Sequence, residues 1–329
     1  MKALYTYLAA AVFTFTTARA DDAQWITYPG GKGPGAGKRI VLLAGVEEYR
    51  SEEALPQLAK ILSERHGFQC TVVFSINKTT GLIDPNTKDN EPGIEALDTA
   101  DLCITLLRFR AWPDDQMKHF VDYVAAGKPL IGLRTSTHAF NGIKGQYSSF
   151  NKYGQDVLGE GWVNHWGKHK SEATRGKIEP GSEKDSLLNG VTDIFGDTDV
   201  YEAYPPADAK ILARGIVLKG MKPEDEPADY KKKRATDKAE QGINDPAMPV
   251  IWTRTHAGKN KILTTTMGSA TDLANESLRR IIVNAAYSFT GLEVPATADV
   301  TLIGDYKPSF YGFNGFIKDV KPADLAPKK

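Results

Sequence analysis

The residues best suited to chemistry follow a short apolar run, Leu130–Leu133. The polar residues that come directly after it are Arg134, Thr135, Ser136, Thr137 and His138. Such an abrupt change is typical of a buried parallel strand, and α/β sheets bind ligands at the carboxyl ends of those strands. His138 is therefore a candidate general acid or base, because imidazole exchanges protons near neutral pH. The alternative is a histidine that only hydrogen-bonds a loop.

Ser136 raises the question of a serine nucleophile. A nucleophile elbow needs small residues on both sides of the serine, as in Gly-x-Ser-x-Gly. Arg134 and His138 occupy those positions here, so we interpret the Ser136 hydroxyl as one that fixes the loop. The two cysteines, Cys70 and Cys103, fall within predicted strands, and we interpret them as separate buried thiols without a disulfide.

A second candidate region is the irregular stretch 141–169. It is rich in Gly, Asn, Trp and His, and its aromatic residues argue against disorder. His165 and His169 have the spacing that suits one divalent metal ion if the segment is helical, but the sequence around them does not favour a helix. A divalent metal is therefore an alternative, and no cofactor is assigned. Trp162 and Trp166 are candidates for a wall that binds a substrate ring.

Other candidates follow the remaining predicted strand ends. Glu48 and Tyr49 come after the first strand, and Arg108 comes after the third. We predict that these residues contact a substrate, together with Thr135, Ser136 and His169. Glu202, in an acidic cluster with Asp197 and Asp199, is a candidate general base or a strand-end acid without a catalytic role.

Alternating strands and helices must position these residues. Apolar runs predict strands at 39–45, 69–75, 101–107 and 130–133, and helical spacing predicts helices at 52–65 and 114–126, the second capped by Asp114. This alternation favours right-handed βαβ units and a parallel sheet, with the first strand between the second and third. Later elements are a strand at 210–218, a hairpin of 250–254 with 261–266, a helix at 275–289 and an exposed insertion at 222–244.

The first 20 residues have the pattern of an export signal. Lys2 precedes an apolar stretch, and Ala18-Arg19-Ala20 has the A-x-A form of a cleavage site. We expect cleavage near Ala20 and a periplasmic or extracellular protein, with an uncleaved anchor as the alternative. Without Lys2 and Arg19 the chain keeps 39 of its 41 basic residues against 41 acidic ones. This near-neutral balance predicts no binding to nucleic acid or to a membrane surface.

Four blocks of sequence resemble the ThuA-like family, named for trehalose utilisation and related in fold to class I glutamine amidotransferases. The blocks are 39–45, 130–140, 158–167 and a discontinuous one at 249–254, 265–269 and 278–285. The resemblance implies an α/β fold, a flavodoxin-like or glutamine amidotransferase-like three-layer sandwich with a central, mostly parallel sheet. We divide the chain into a signal peptide at 1–20, a flexible leader at 21–37, a ThuA-like domain at 38–293 and an extended tail at 294–329.

The chain departs from the family's pattern at its catalytic turn. Where an amidotransferase places its cysteine, this chain has Arg134, Thr135 and Ser136, so amidotransferase activity is excluded. Family members often have a histidine at the position of Arg134 and a Gly-His where this chain has Gly268-Ser269. The other two histidines of the pattern are retained as His138 and His165.

Two functions are open at this point. The first is an exported hydrolase, lyase or isomerase for a small sugar or keto-sugar, with His138 and His165 as acid and base and Arg134 stabilising an oxyanion or enediolate. The second is a non-catalytic sugar-binding or assembly module; the oligomeric state is not assigned. We predict one pocket lined by Arg134, His138, His165 and Glu202, with Trp162, Trp166 or Trp112 in its wall. Convergence of the histidines with an acid favours catalysis.

Overall fold

A ten-stranded mixed sheet with helices on both faces organises the chain, as the computed structural model of residues 23–327 shows. The predicted signal peptide lies outside the described residues. The described residues form fourteen strands: β1 (Trp25–Tyr28), β2 (Arg39–Gly45), β3 (Gln69–Phe74), β4 (Leu102–Leu107), β5 (Leu130–Leu133), β6 (Asn164–His165), β7 (Thr174–Ile178), β8 (Ile194–Gly196), β9 (Tyr201–Glu202), β10 (Lys210–Val217), β11 (Lys231–Lys233), β12 (Glu240–Gly242), β13 (Met248–His256) and β14 (Asn260–Thr265). Of these, β6 pairs with β9 and β11 pairs with β12, and the other ten form the large sheet. The helices are α1 (Ser51–Lys60), α2 (Asp114–Ala125) and α3 (Glu276–Phe289).

The parallel half of the sheet has the order β3-β2-β4-β5-β14. The prediction that the first strand, β2, lies between β3 and β4 is confirmed. Cys70 and Cys103 sit on those two flanking strands as buried free thiols. Strands of this kind read as continuous apolar runs because helices cover both of their faces.

The two faces of the sheet form separate cores. Leu42 of β2 packs on one face with Leu55 of α1 and Ile282 of α3. Its neighbour Leu43 packs on the other face with Phe120 of α2. Successive residues of a strand point to opposite faces, so β2 supports both layers of helices.

The other half of the sheet is antiparallel and begins with the hairpin of β13 and β14, as predicted. Its turn passes through Ala257 and Gly258, with φ of 48° and 70°. β14 also pairs in parallel with β5, a contact that the sequence analysis did not predict. The loop after β14 consequently lies beside the end of β5, where the Arg134 N–H donates to the Met267 carbonyl oxygen at 3.0 Å.

Several elements differ from the prediction at their ends. The segment predicted as a leader contains β1, which pairs with β3, and the Tyr28 hydroxyl donates to the Leu325 carbonyl oxygen at 2.7 Å. Helix α1 continues as a wider π-type turn over Ile61–Arg65. Asp114 is the first residue of α2 and does not cap it, because Pro113 occupies the N-cap. Among the described residues, no helix has both the length and the apolar character that crossing a membrane requires.

The insertion at 222–244 supports the irregular stretch before β7 as well as meeting solvent. It contains the hairpin of β11 and β12, and the Lys232 ammonium donates to the carbonyl oxygens of His165 and Trp166 at 2.8 and 2.9 Å. From α3 to residue 327, the end of the described part, the chain is irregular apart from a 3₁₀ turn at Pro322–Leu325. Within this tail the Tyr306 hydroxyl donates to the Ala270 carbonyl oxygen at 2.8 Å, so the tail is fastened to the domain.

Candidate active site

The carboxyl edge of the parallel strands carries unusual backbone geometry. Arg50 after β2, Phe109 after β4 and Arg134 after β5 have φ values of 58°, 50° and 42°. Large L-residues rarely adopt this region, and each such residue costs about 1–3 kcal/mol. Strain of this kind clusters at functional sites, and here it lies at the edge where polar side chains converge.

Arg134 is fully buried at this edge. Its terminal nitrogens donate to the Asp199 carboxylate at 2.8 Å, and to the carbonyl oxygens of Asp199 and Thr266 at 2.6 and 2.7 Å. The ring of Tyr201 lies 3.8 Å from the guanidinium carbon. Both terminal nitrogens are thus engaged within the protein. The structure gives Arg134 the role of holding Asp199, in place of the oxyanion contact predicted from the sequence.

Asp199 connects Arg134 to two histidines. One carboxylate oxygen accepts from Arg134 and lies 3.0 Å from His169 Nδ1, and the other lies 2.7 Å from His165 Nδ1. Burial acts to raise the pKa of Asp199, but the Arg134 charge and the two imidazoles outweigh it and hold that pKa well below its usual range. Asp199 is therefore a buried anion that orients two rings.

His169 is held between two carboxylates. Its Nε2 lies 3.0 Å from Glu48 Oε1, opposite the bond from Nδ1 to Asp199. These hydrogen bonds raise the pKa of His169 to about 9, so the ring is protonated at neutral pH. Burial works against ionisation of Glu48, but the bond to His169 lowers the pKa of that carboxyl. With both nitrogens engaged, His169 is a cationic link and not a free base.

His138 and His165 contact the same indole. The Trp162 ring centre lies 5.0 Å from that of His138 and 4.9 Å from that of His165. Burial, followed by the nearby charges of Arg108 and Arg134, lowers the pKa of His138 well below its usual value, so this ring is neutral at pH 7. Both histidines therefore contact Trp162 in one shared site. The acidic residue that accompanies them is Asp199, which bonds His165.

Glu202 does not join this group. It follows Tyr201 in β9, so its side chain points to the opposite face from that ring. Its carboxylate accepts from the Tyr204 hydroxyl at 2.7 Å and from the Ala235 N–H at 2.8 Å. Glu202 thus anchors the insertion, and the general-base role predicted for it is not supported by its position.

Two of the predicted wall residues belong to the hydrophobic cores. Trp166 is fully buried, and its indole donates to the Ile243 carbonyl oxygen at 2.7 Å. Trp112 packs against Phe120 and Phe140 in the core beneath α2. Only Trp162, with 38% of its surface exposed, is placed to meet a ligand.

The turn after β5 is held from within. The Ser136 hydroxyl donates to the Thr105 carbonyl oxygen at 2.8 Å and accepts from the Leu107 N–H at 3.2 Å. Its interpretation as a loop-fixing hydroxyl is confirmed. Thr135 is buried as well, and its hydroxyl has no hydrogen-bond partner among the described residues. Neither side chain is accessible to a substrate.

Arg108 and Tyr49 differ in their exposure and in their partners. Arg108 pairs with Glu47, and its guanidinium carbon is 4.5 Å from the centre of the Phe109 ring. The Tyr49 hydroxyl is buried and accepts from Arg134 at 3.3 Å. Tyr49 therefore supports the buried ion pair, whereas Arg108 remains partly exposed at the rim.

Asp199 is the central acid, although the sequence did not single it out from its acidic cluster. A usable signal was present, because Asp197, Asp199 and Tyr201 alternate with Val200 and Glu202, as residues on opposite faces of a strand do. His165 and His169 also meet for a different reason than helical spacing. β6 ends at His165, and the chain bends at Trp166 and Gly167, so that the ring of His169 lies at a centroid distance of 4.7 Å from that of His165.

His165, His169 and Asp199 could also hold a metal ion. Their ligand atoms lie within 4.8 Å of one another, and two nitrogens with one carboxylate oxygen suit zinc. Such an ion would have to displace the proton of His169, whose pKa is about 9, so binding would weaken as the pH falls.

Several solved structures are similar to this chain. A ThuA-like protein from Parabacteroides merdae ATCC 43184 is 12% identical over 84% of this chain and 97% of its own, with a TM-score of 0.50. A ThuA-like protein from Bacteroides uniformis ATCC 8492 is 15% identical over 80% of this chain and 95% of its own, with a TM-score of 0.47. A β-galactosidase from Rahnella sp. R3 is 10% identical over 78% of this chain and 32% of its own, with a TM-score of 0.44.

No family model matches the sequence, and no curated protein matches it. At these identities the structural likenesses concern the fold and not the residues of the site. The chain has the fold of the ThuA-like protein from Parabacteroides merdae, in agreement with the resemblance found in the sequence.

Proposed function

We propose that this protein is an exported carbohydrate-active enzyme that moves protons with two imidazoles of opposite character. The observation that carries the proposal is the 2.7 Å hydrogen bond between His165 Nδ1 and the buried Asp199, beside a neutral His138. Trp162 contacts both rings and offers an exposed aromatic face of the kind that stacks on sugars.

We infer a different tautomer for each ring from its hydrogen-bond partners. The Asp199 carboxylate can only accept, so His165 carries its proton on Nδ1 and presents the Nε2 lone pair. The Thr137 hydroxyl lies 3.1 Å from His138 Nδ1 and 3.5 Å from the Arg134 carbonyl oxygen, and its one proton can go to either acceptor. We take the shorter contact as the one to which the hydroxyl donates, so that His138 carries its proton on Nε2. One ring then offers a base and the other an N–H donor.

A base beside a neutral N–H donor suits removal of a proton next to a carbonyl group. His165 Nε2 takes the proton from the carbon, and the electron pair moves toward the carbonyl oxygen, to which His138 Nε2–H donates. For an isomerisation, His138 gives its Nε2 proton to the former carbonyl oxygen and takes the hydroxyl proton of the adjacent carbon, while His165 returns its proton to the former carbonyl carbon. For an elimination, His165 gives its proton to the departing hydroxyl or alkoxide. The buried Asp199 stabilises the imidazolium that forms between these steps. The substrate class is a keto-sugar.

The finer fold assignment is supported by the turn at Arg134. A residue with positive φ between a strand and a short helix is the geometry of a nucleophile elbow, which class I glutamine amidotransferases also use in a flavodoxin-like sandwich. We infer that Arg134 occupies this elbow and that its side chain turns inward to Asp199. Export rests on the sequence of residues 1–20 alone.

The proposal is tested with the mature chain, residues 21–329, and a panel of disaccharides and their keto derivatives, with and without divalent metals. Exchange of hydrogen for deuterium next to the carbonyl, followed by NMR in D₂O, reports proton removal directly. We expect His165→Ala and His138→Ala to lower turnover about 10²-fold or more, the usual scale for a lost acid or base.

His119→Ala is the matched control. His119 has 31% of its side chain exposed against 35% for His165, and its Nδ1 also lies 2.7 Å from an aspartate. This variant should retain full turnover. If product forms without deuterium exchange, the proposed removal of a proton next to the carbonyl is wrong and the reaction is a hydrolysis. Sugar binding without turnover in the wild type would establish the second candidate, a binding module.

A further inference from the structure

The C-terminal tail reaches the active site through residues 311–313. The Tyr311 ring centre lies 5.7 Å from that of His169, and its hydroxyl donates to the Asp197 carbonyl oxygen at 3.0 Å. The Gly312 N–H donates to the Glu48 carbonyl oxygen at 2.8 Å. These contacts hold the tail against the loop that carries Glu48, although the two segments are distant in the sequence.

From this anchor the tail continues to the opposite rim. The Arg108 guanidinium carbon lies 5.1 Å from the centre of the Phe313 ring and 4.5 Å from that of Phe109. Phe109 lies 5.1 Å from His138, which contacts Trp162. Phe313 is therefore connected to Trp162 through one continuous row of rings and a guanidinium.

A second series of ring contacts runs from Trp162 back to the tail. Trp162 contacts His165, and His165 contacts His169, which contacts Tyr311. The backbone of the tail from Tyr311 to Phe313 completes a circuit of contacts, in which His138 lies between Trp162 and Phe313 on one side and His165 and His169 lie between them on the other. Trp162 is 38% exposed and Phe313 is 53% exposed, so both side chains are accessible to a ligand.

We propose that the tail completes the ligand pocket and that Phe313 is a second stacking wall, opposite Trp162, for a further sugar ring. This inference rests on the proposed carbohydrate function and extends it to a ligand of at least two rings. A sugar has an apolar C–H face that packs on aromatic rings and a hydroxyl edge that needs polar partners. Phe313 offers the first, and the partly exposed Arg108 beside it offers the second.

The subsite is tested by calorimetric binding of cellobiose and of glucose to the His165→Ala protein, in which turnover is removed and both aromatic walls remain. Adding Phe313→Ala should raise the Kd for cellobiose about tenfold and change that for glucose less than twofold. Phe313→Tyr should restore cellobiose binding. Ile317→Ala, a tail residue with 56% of its surface exposed and no place in the circuit, should change neither Kd.

The outcomes separate this inference from the proposed reaction. An unchanged cellobiose Kd in Phe313→Ala, or equal weakening for both sugars, would overturn the subsite, as would the parent's failure to bind either sugar. A tenfold, cellobiose-specific effect in a protein whose wild type turns over no sugar would keep the subsite and reject the catalytic proposal.

Discussion

Two histidine–aspartate pairs of almost the same geometry lie in different parts of this molecule. In one, His165 Nδ1 lies 2.7 Å from Asp199, and in the other, His119 Nδ1 lies 2.7 Å from Asp98. The two histidines are similarly exposed. The aspartates differ, because the Asp199 side chain is fully buried, whereas that of Asp98 is 54% exposed.

The difference shows that a short hydrogen bond alone does not make a site. Asp98 lies at the surface, where water screens its charge and the pair contributes little. Asp199 is enclosed with Arg134, and the low polarity around it strengthens its interaction with every neighbouring charge. The active-site pair differs because the buried Arg134 guanidinium contacts the Asp199 carboxylate. That contact keeps Asp199 charged in a place where water cannot screen its charge.

The largest effect is expected on stability when the buried pair is broken. Asp199→Asn keeps the volume of the side chain but leaves the Arg134 charge buried without its counterion, so the free energy of unfolding should fall by about 3–5 kcal/mol. Asp98→Asn should change it by less than about 1 kcal/mol. Urea unfolding of both variants measures the two changes.

A second substitution checks the cause. Adding Arg134→Met to Asp199→Asn removes the unpaired charge and should recover part of the lost stability, as a double-mutant cycle would register. Similar small losses for Asp199→Asn and Asp98→Asn would show that burial does not separate the two pairs, and the comparison would fail.

A smaller effect is expected at the turn that carries Arg134. Ser136→Ala removes the hydroxyl that bonds Thr105 and Leu107, leaving buried groups unsatisfied at a cost of about 2 kcal/mol. Turnover per folded molecule should stay within a few-fold of wild type, as measured on samples matched for folded fraction. A loss as severe as that of His165→Ala would instead identify Ser136 as a nucleophile, since triad members act as a unit.

The sequence predicted the scaffold better than the site. The apolar runs that became β2, β3, β4 and β5 are governed by local pattern, and their order follows from the rules for βαβ units. Whether Asp199 or Glu202 contacts Arg134 depends on which face of the two-residue strand β9 points toward that arginine. That face is set by the pairing of β9 with β6, a contact between distant segments.

The same reason explains the other differences. Trp162 and Trp166 are tryptophans of the same irregular stretch, but Trp162 is partly exposed and Trp166 lies in the core. Trp166 is buried because the insertion that carries Ile243 covers it. The place of Phe313 beside Arg108 depends on contacts of the tail with the domain, which no local pattern encodes.

The smallest effect is a pH-dependent one at His169, and it sharpens the comparison by testing whether Asp199 and Glu48 together hold a cation. The pKa of His169 is raised from about 6.5 in the unfolded chain to about 9 in the folded protein, so the folded state binds a proton more tightly. Its contribution to stability is fully present below pH 6.5 and is lost as the pH rises through 9. A shift of this size corresponds to about 3 kcal/mol at most. The ring is 26% exposed and the Gln amide can still donate to one carboxylate, so His169→Gln should reduce the free energy of unfolding by about 1 kcal/mol at pH 6 and by almost nothing at pH 10. Urea titrations of both proteins at a series of pH values measure this difference. A difference that stays constant over this range would show that His169 stabilises the site by packing alone, and a difference that grows toward high pH would mean that the ring is held neutral.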